Sequence, residues 1–175
     1  NNWILFAIQL LDSMVNSEPK LTFSILIPVR NEGANLEIFV KMLETFVETP
    51  HEILIIHDTD VDNSIDVVKR LSDKYNNLRL IHNTRGGGIP NAFKSGVEAA
   101  KYDCLMMLVA DDIGFVFSVD EMVNLMDEGY DLVQGSRLLP GSKTINGSFF
   151  HSNLIKFGNK MFTKMLNVFF KANYT

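Results

Sequence analysis

The chain has 175 residues, a hydrophobic fraction of 46% and 13 phenylalanines. That is ample for one packed domain and too apolar for a disordered chain. A formal charge of −5 and a pI near 5.3 argue against a nucleic-acid partner, which selects a basic face. The single cysteine, Cys104, excludes an internal disulfide and reads as a small buried hydrophobe, so a cytoplasmic protein is expected.

Residues 3–11 are apolar but too few to cross a bilayer, and no run of about 18 apolar residues follows. They lack a basic leader and a small-residue cleavage site. Residues 1–20 are therefore expected to form a helical extension, and residues 21–175 the domain proper. The chain begins without Met and stops at Thr175 in unpunctuated sequence, so it reads as a piece of a longer protein that lacks its C-terminal part.

From residue 22 onward, strand and helix signals alternate. Residues 22–28 read as a first strand, followed by a helix with Leu36, Phe39, Val40, Leu43 and Phe46 on one face. Residues 52–56 read as a second buried strand, and Ile65, Val68 and Leu71 as the stripe of a second helix. A third short strand is expected over 78–81. A helix carrying Ala92, Val97 and Ala100 then follows Gly86-Gly87-Gly88. The apolar run 105–110 predicts a fourth strand, and Ser118-Val119-Asp120-Glu121 a capping box. A fifth strand is expected over 131–135. A loop with Pro140, Gly141 and Gly147 leads to a last helix bearing Phe149, Leu154, Phe157, Phe162, Leu166 and Phe170. Such alternation implies an α/β fold with right-handed crossovers and a mostly parallel, Rossmann-like sheet flanked by helices.

Polar clusters follow four of the strands: Pro28 to Gly33, His57 to Asn63, Asp111-Asp112, and Gly135-Ser136-Arg137. A parallel sheet brings all four to its carboxyl edge, where open α/β sheets bind ligands. Asp111-Asp112 reads either as a solvated acidic turn or as a pair of hard oxygen ligands for Mg²⁺ or Mn²⁺ carrying a diphosphate.

Several other chemistries are excluded. Asp58-x-Asp60-x-Asp62 begins like a calcium loop, but Asn63 stands at the required glycine and Lys69 at the bidentate glutamate. Gly86-Gly87-Gly88 lacks the Gly-Lys-Ser/Thr ending of a phosphate loop, and Asn91 breaks the dinucleotide spacing. The four histidines have no close zinc-ligand spacing in sequence, and no serine sits in a nucleophile elbow.

In order and spacing, the clusters resemble those of family 2 glycosyltransferases of the GT-A fold, within them the polyprenyl-phosphate (dolichol-phosphate) mannosyltransferase-like group. Residues 23–32 look like that family's opening strand and Pro-x-Tyr-Asn-Glu segment, and 53–62 like its Asp-Asp-Gly-Ser-x-Asp strand end. Gly88 with 91–96 is similar to its glycine-rich helix start, Ala110-Asp111-Asp112 stands where its Asp-x-Asp metal motif belongs, and 130–137 is close to its Gly-Ser-Arg strand.

The resemblance implies a nucleotide pocket lined by Pro28, Arg30 and Glu32, with Gly88 beside it. Ile56 and Asp58 would hold the base, Asp111 and Asp112 a Mg²⁺ or Mn²⁺ ion, and Arg137 would reach a phosphate. It implies inverting transfer from a UDP- or GDP-sugar, with a lipid phosphate at the cytoplasmic face of a membrane as one acceptor. Such an acceptor is already an anion and needs no general base.

The chain also departs from the family pattern. Ala110 or Val109 replaces the first Asp of the metal motif, Arg30 replaces the Tyr, His57 an acid and Thr59 a glycine. His151, Ile155 and Lys156 stand near the positions of the group's acceptor-side arginines. Two further readings stay open. One is a non-catalytic nucleotide-sugar-binding relative. The other is a nucleotidyltransferase of the same fold, against which the residues after Pro28 argue by offering only Arg30 and Gly33.

Overall fold

The computed structural model describes residues 21–135 and 149–170. The expected N-terminal helix, Arg137 and the loop with Pro140, Gly141 and Gly147 lie outside the described residues. The chain divides into two compact units, one running to Gln134 and one starting at Gly135.

The first unit holds a four-stranded sheet in the order β3-β2-β1-β4. Its strands are β1 (Phe23–Val29), β2 (His51–His57), β3 (Leu78–His82) and β4 (Cys104–Met107). Every pairing is parallel, as the alternation of elements requires. The helices are α1 (Gly33–Phe46), α2 (Ser64–Ser72), α3 (Ile89–Ala99) and α4 (Val119–Asp127), with a 3₁₀ segment at Ile113–Ser118. The second unit contributes α5 (Phe149–Phe170).

β1 and β2 are buried on both faces because helices cover both sides. Ile25, Ile27, Ile53 and Ile55 pack with Leu36, Phe39, Val40 and Leu43 of α1 and Val68 and Leu71 of α2. The alternate residues Leu26, Leu54 and Ile56 pack with Ala92 of α3. Gly96 lets α3 approach closely: a Cβ there would lie 2.5 Å from Leu26 Cδ2 and 2.8 Å from Ile56 Cδ1.

At the amino edge of the sheet, buried Glu52 joins three strands. It accepts from Ser24 Oγ (2.8 Å), Arg79 Nη1 (2.8 Å) and the Lys101 N–H (2.5 Å). Burial raises its carboxyl pKa, but those hydrogen bonds outweigh burial and hold it below the usual range.

Four expectations are corrected. β4 ends at Met107 rather than continuing to Ala110. Leu108 N–H still donates to Leu26 O at 3.0 Å, and the chain then turns. Residues 131–135 form no strand, and Leu132 is exposed. A strand needs a ladder partner as well as β-forming residues, and Leu132-Val133 is a short stretch with which to recruit one. Ser118 makes no side-chain cap. Asp120 instead turns to the end of α1, accepting from the Glu48 and Thr49 N–H groups at 3.0 Å each. Phe46 is exposed rather than core, because it lies at the end of α1, where it meets the Phe117 ring edge-on instead of the sheet.

Candidate functional site

The site is built on the carboxyl edge of the sheet, where the β1, β2, β3 and β4 ends meet. Pro28 sits near the end of β1, paired with Ile56. The carbonyl of Leu26 points toward β4, so by the period of two the missing N–H of Pro28 faces the same way. It falls where β4 has already ended, and no ladder bond is lost.

Beyond β1, Asn31 adopts a left-handed conformation with φ 61°. This turns three successive N–H groups toward the β2–α2 loop. Asn31 N–H donates to both carboxylate oxygens of Asp62 (3.1 Å each), Glu32 N–H to Ser64 Oγ (3.0 Å) and Gly33 N–H to Asn63 Oδ1 (2.9 Å). Asp62 also accepts from Ser64 N–H at 2.8 Å. Burial pushes its carboxyl up, but the bonds from Ser64 and Asn31 prevail and hold it below the usual range. The acid-rich stretch that begins like a calcium loop is in this part a clamp on the β1–α1 turn.

Asp58 lies half-buried at the end of β2. Its Oδ1 accepts from Asn83 Nδ2 at 2.7 Å and its Oδ2 from Gly88 N–H at 2.9 Å. These bonds hold its carboxyl below the usual range, and the Arg30 charge adds to them. Gly86 and Gly88 take φ values of 92° and 108°, which glycine alone adopts without strain. Only such a backbone brings the Gly88 N–H back onto Asp58.

Asn83 is the centre of this network and carries no motif in the sequence. It is buried, its Nδ2 also donates to Gly86 O (2.8 Å), and its Oδ1 accepts from Ser95 Oγ (2.8 Å) and Arg85 N–H (3.1 Å). Its partners are spread from residue 58 to residue 95, so no local spacing signals it.

The remaining expected residues divide. Arg30 is exposed and Glu32 half-buried; the Glu32 side chain accepts from Asn35 Nδ2 at 2.9 Å. Ile56 is wholly buried between Leu26, Leu54 and Ala92, so its side chain is the floor beneath the cluster rather than a pocket wall. Asp111 is exposed and Asp112 half-buried on the turn after β4. Asp112 begins the 3₁₀ segment, its carbonyl accepting from Phe115 N–H at 3.2 Å. Adjacent carboxylates with one open to solvent suit a hard cation that keeps part of its water shell. Among the described residues, three of the four expected clusters thus share one sheet edge, and Asn83 joins them.

A family model for glycosyl transferase family 2 matches residues 24–174. That match covers most of the chain, so the chain belongs to glycosyl transferase family 2, and its parallel sheet flanked by helices is an α/β architecture of the GT-A class. It is 30% identical over 122 residues to the uncharacterized glycosyltransferase YibD of Escherichia coli, covering 69% of this chain and 35% of that protein. It is 27% identical over 134 residues to the dolichol-phosphate mannosyltransferase of Pyrococcus furiosus, covering 76% of this chain and 38% of that protein. Among solved structures, the mannosyltransferase PcManGT from Pyrobaculum calidifontis, in complex with GDP-Man and Mn²⁺, aligns with a TM-score of 0.47 and 16% identity. That match covers 61% of this chain and 34% of that one. The chain spans little more than a third of the length of the two curated relatives.

Proposed function

We propose that this chain is the donor-binding portion of an inverting glycosyltransferase that takes a sugar from a UDP- or GDP-sugar. Family membership supports the reaction class. The observation that carries the site is the meeting of the β1, β2 and β4 loop clusters on one carboxyl edge, with Asp111-Asp112 at its β4 end.

Asp111 and Asp112 would hold a Mg²⁺ or Mn²⁺ ion, which offsets charge on the departing nucleoside diphosphate. The other residues bind and orient. Asp58 keeps lone pairs beyond its two internal bonds and accepts a nucleobase N–H. The exposed Arg30 and the Gly88 turn both act on Asp58. Pro28 and Glu32 form the β1 side, while Arg137, outside the described residues, is assigned a phosphate on the family resemblance alone.

A lipid phosphate at the cytoplasmic face of a membrane is the acceptor this reading favours, because one relative is named a dolichol-phosphate mannosyltransferase and, among the described residues, no carboxylate stands out as a general base. A non-catalytic binder is the second reading, favoured by the incomplete Asp-x-Asp at Ala110-Asp111-Asp112. Metal-dependent hydrolysis of a radiolabelled nucleotide-sugar separates the two.

The binding test is a thermal-shift panel of nucleoside diphosphates with and without Mn²⁺, since a ligand of the native state raises stability by RT ln(1 + [L]/Kd). One base should stand out, and its Mn²⁺-dependent part should vanish in the Asp111→Asn, Asp112→Asn double variant. Wild-type behaviour of that variant refutes the metal assignment.

A further inference from the structure

A second cluster lies at the ends of β2 and β3, on the other side of the sheet from Asp58. His57 pairs with His82 in the β2–β3 register, so both imidazoles rise on one face. That face carries Ile53, Ile55 and Leu80 and is packed by α1 and α2. Asp58 and Asn83, each one residue on, face α3 instead. The two rings stack 4.8 Å apart with 12° between their planes. Asp60 Oδ1 lies 3.8 Å from His82 Nδ1. One ligating atom from each of His57, Asp60 and His82 falls within 4.8 Å of the others.

Three features suit these residues to a cation. The first is the chemistry of the set: two imidazoles and a carboxylate match Zn²⁺ and its neighbours rather than Mg²⁺. The second is the state of His57. Its Nδ1 donates to the Thr59 carbonyl at 3.1 Å, because a carbonyl can only accept, and Nε2 is the nitrogen left to meet a ligand. A backbone carbonyl in that role commonly orients a metal-bound histidine. The third is reach. Ligand atoms about 2.0–2.1 Å from a tetrahedral ion lie about 3.3–3.4 Å from one another, so the observed spread must close by roughly 1.5 Å. His57 is 4% exposed, whereas the His82 and Asp60 side chains are 47% and 85% exposed, so His82 can turn from its stack on His57 to bring its nitrogen onto a shared ion.

We propose that His57, Asp60 and His82 form a binding site for a divalent transition ion of the Zn²⁺ class, with water completing the coordination. β2 and β3 stand two and three strands from β4, about 10 and 14 Å at ordinary strand spacing. An ion here therefore does not serve a diphosphate held at Asp111-Asp112. It ties the β2–α2 loop to β3, and that loop carries the Asp62 clamp on the β1–α1 turn.

Calorimetric titration and thermal melting of the EDTA-treated chain with Zn²⁺ alone, and with Mg²⁺ as the comparison ion, test the site. We expect one Zn²⁺ per chain and a saturable rise in Tm that equal Mg²⁺ does not produce. Asp60→Ala and His82→Ala should each weaken Zn²⁺ binding about tenfold or more. Both side chains are exposed, so metal-free melting should stay at the wild-type value. The Asp111→Asn, Asp112→Asn double variant should keep the Zn²⁺ response. A chain with no saturable Zn²⁺ response overturns the proposal, as does a response that survives both single variants. A response lost in the double variant also overturns it, because it assigns the ion to the β4 turn.

Discussion

Asn83 and Asp62 show how two buried polar side chains shape the sheet edge. Each bonds several polar groups of the loops around it. Removing Asn83 leaves the buried Ser95 hydroxyl without its partner and strips Asp58 of one of its two hydrogen bonds, and unmatched buried polar groups are the costly part of a lost hydrogen bond. We predict that Asn83→Ala lowers stability by about 2–4 kcal/mol in urea unfolding. Asp58→Ala should cost less, because that side chain is half-exposed, and should act mainly on nucleotide affinity. A variant Asp58→Ala that fails to fold marks the residue as structural.

Asp62 adds a pH dependence. Its carboxyl titrates below the usual range in the folded chain, so its contribution is complete above the unfolded-state value of about 4. The contribution is lost as pH falls through the lower folded-state value. Glu52 acts in the same direction. Melting temperature should therefore drop steeply below about pH 4, and Asp62→Asn should flatten part of that drop while lowering stability at pH 7.

At the scale of elements, the packing of α3 on the sheet is set by one missing methyl group. Gly96→Ala gains roughly 1 kcal/mol of helix propensity. It also drives a Cβ against Leu26 and Ile56, both wholly buried, and such overpacking costs about 1–3 kcal/mol. We expect a net loss of about 1 kcal/mol, measured as a lower urea midpoint with an unchanged slope. A stabilised variant would mean that α3 can lift from the sheet. The same elements show what sequence makes legible. β1, β2, β3, α1 and α2 announce themselves because apolar residues recur at the period of the structure they form, and Leu36, Phe39, Val40, Ile65, Val68 and Leu71 are core as expected. β4 is shorter than its apolar run because the chain turns after Leu108, with Asp112 N–H bonded back to Val109 O, and hydrophobicity alone does not supply a neighbour. The site is half-legible for a related reason. Acids and glycines at strand ends can be read locally, whereas Asn83 and the pairing of His57 with His82 exist only once the strands are in register.

For the whole molecule, the proposed lipid-phosphate acceptor makes a prediction about α5. The helix has 22 residues, about 33 Å in length, yet among the described residues no helix is long and apolar enough to cross a membrane. Phe157, Met161, Met165 and Val168 form an exposed stripe that Phe162 and Phe169 widen to an arc of about 140° at 100° per residue. Lys160 and Lys164 are exposed and lie one turn apart along its flank, on a strip that the sequence extends to Lys156. An apolar arc beside a basic strip suits a helix lying in the headgroup layer, with the lysines meeting anionic lipid. We predict binding of the chain to anionic vesicles at low salt, weakening as ionic strength screens the lysines. Charge reversal at Lys156, Lys160 and Lys164 should abolish it, while nucleoside-diphosphate thermal shifts remain. Co-sedimentation that detects no vesicle binding at low ionic strength removes the surface helix and turns the acceptor search toward soluble hydroxyl compounds, for which a general base must then be found.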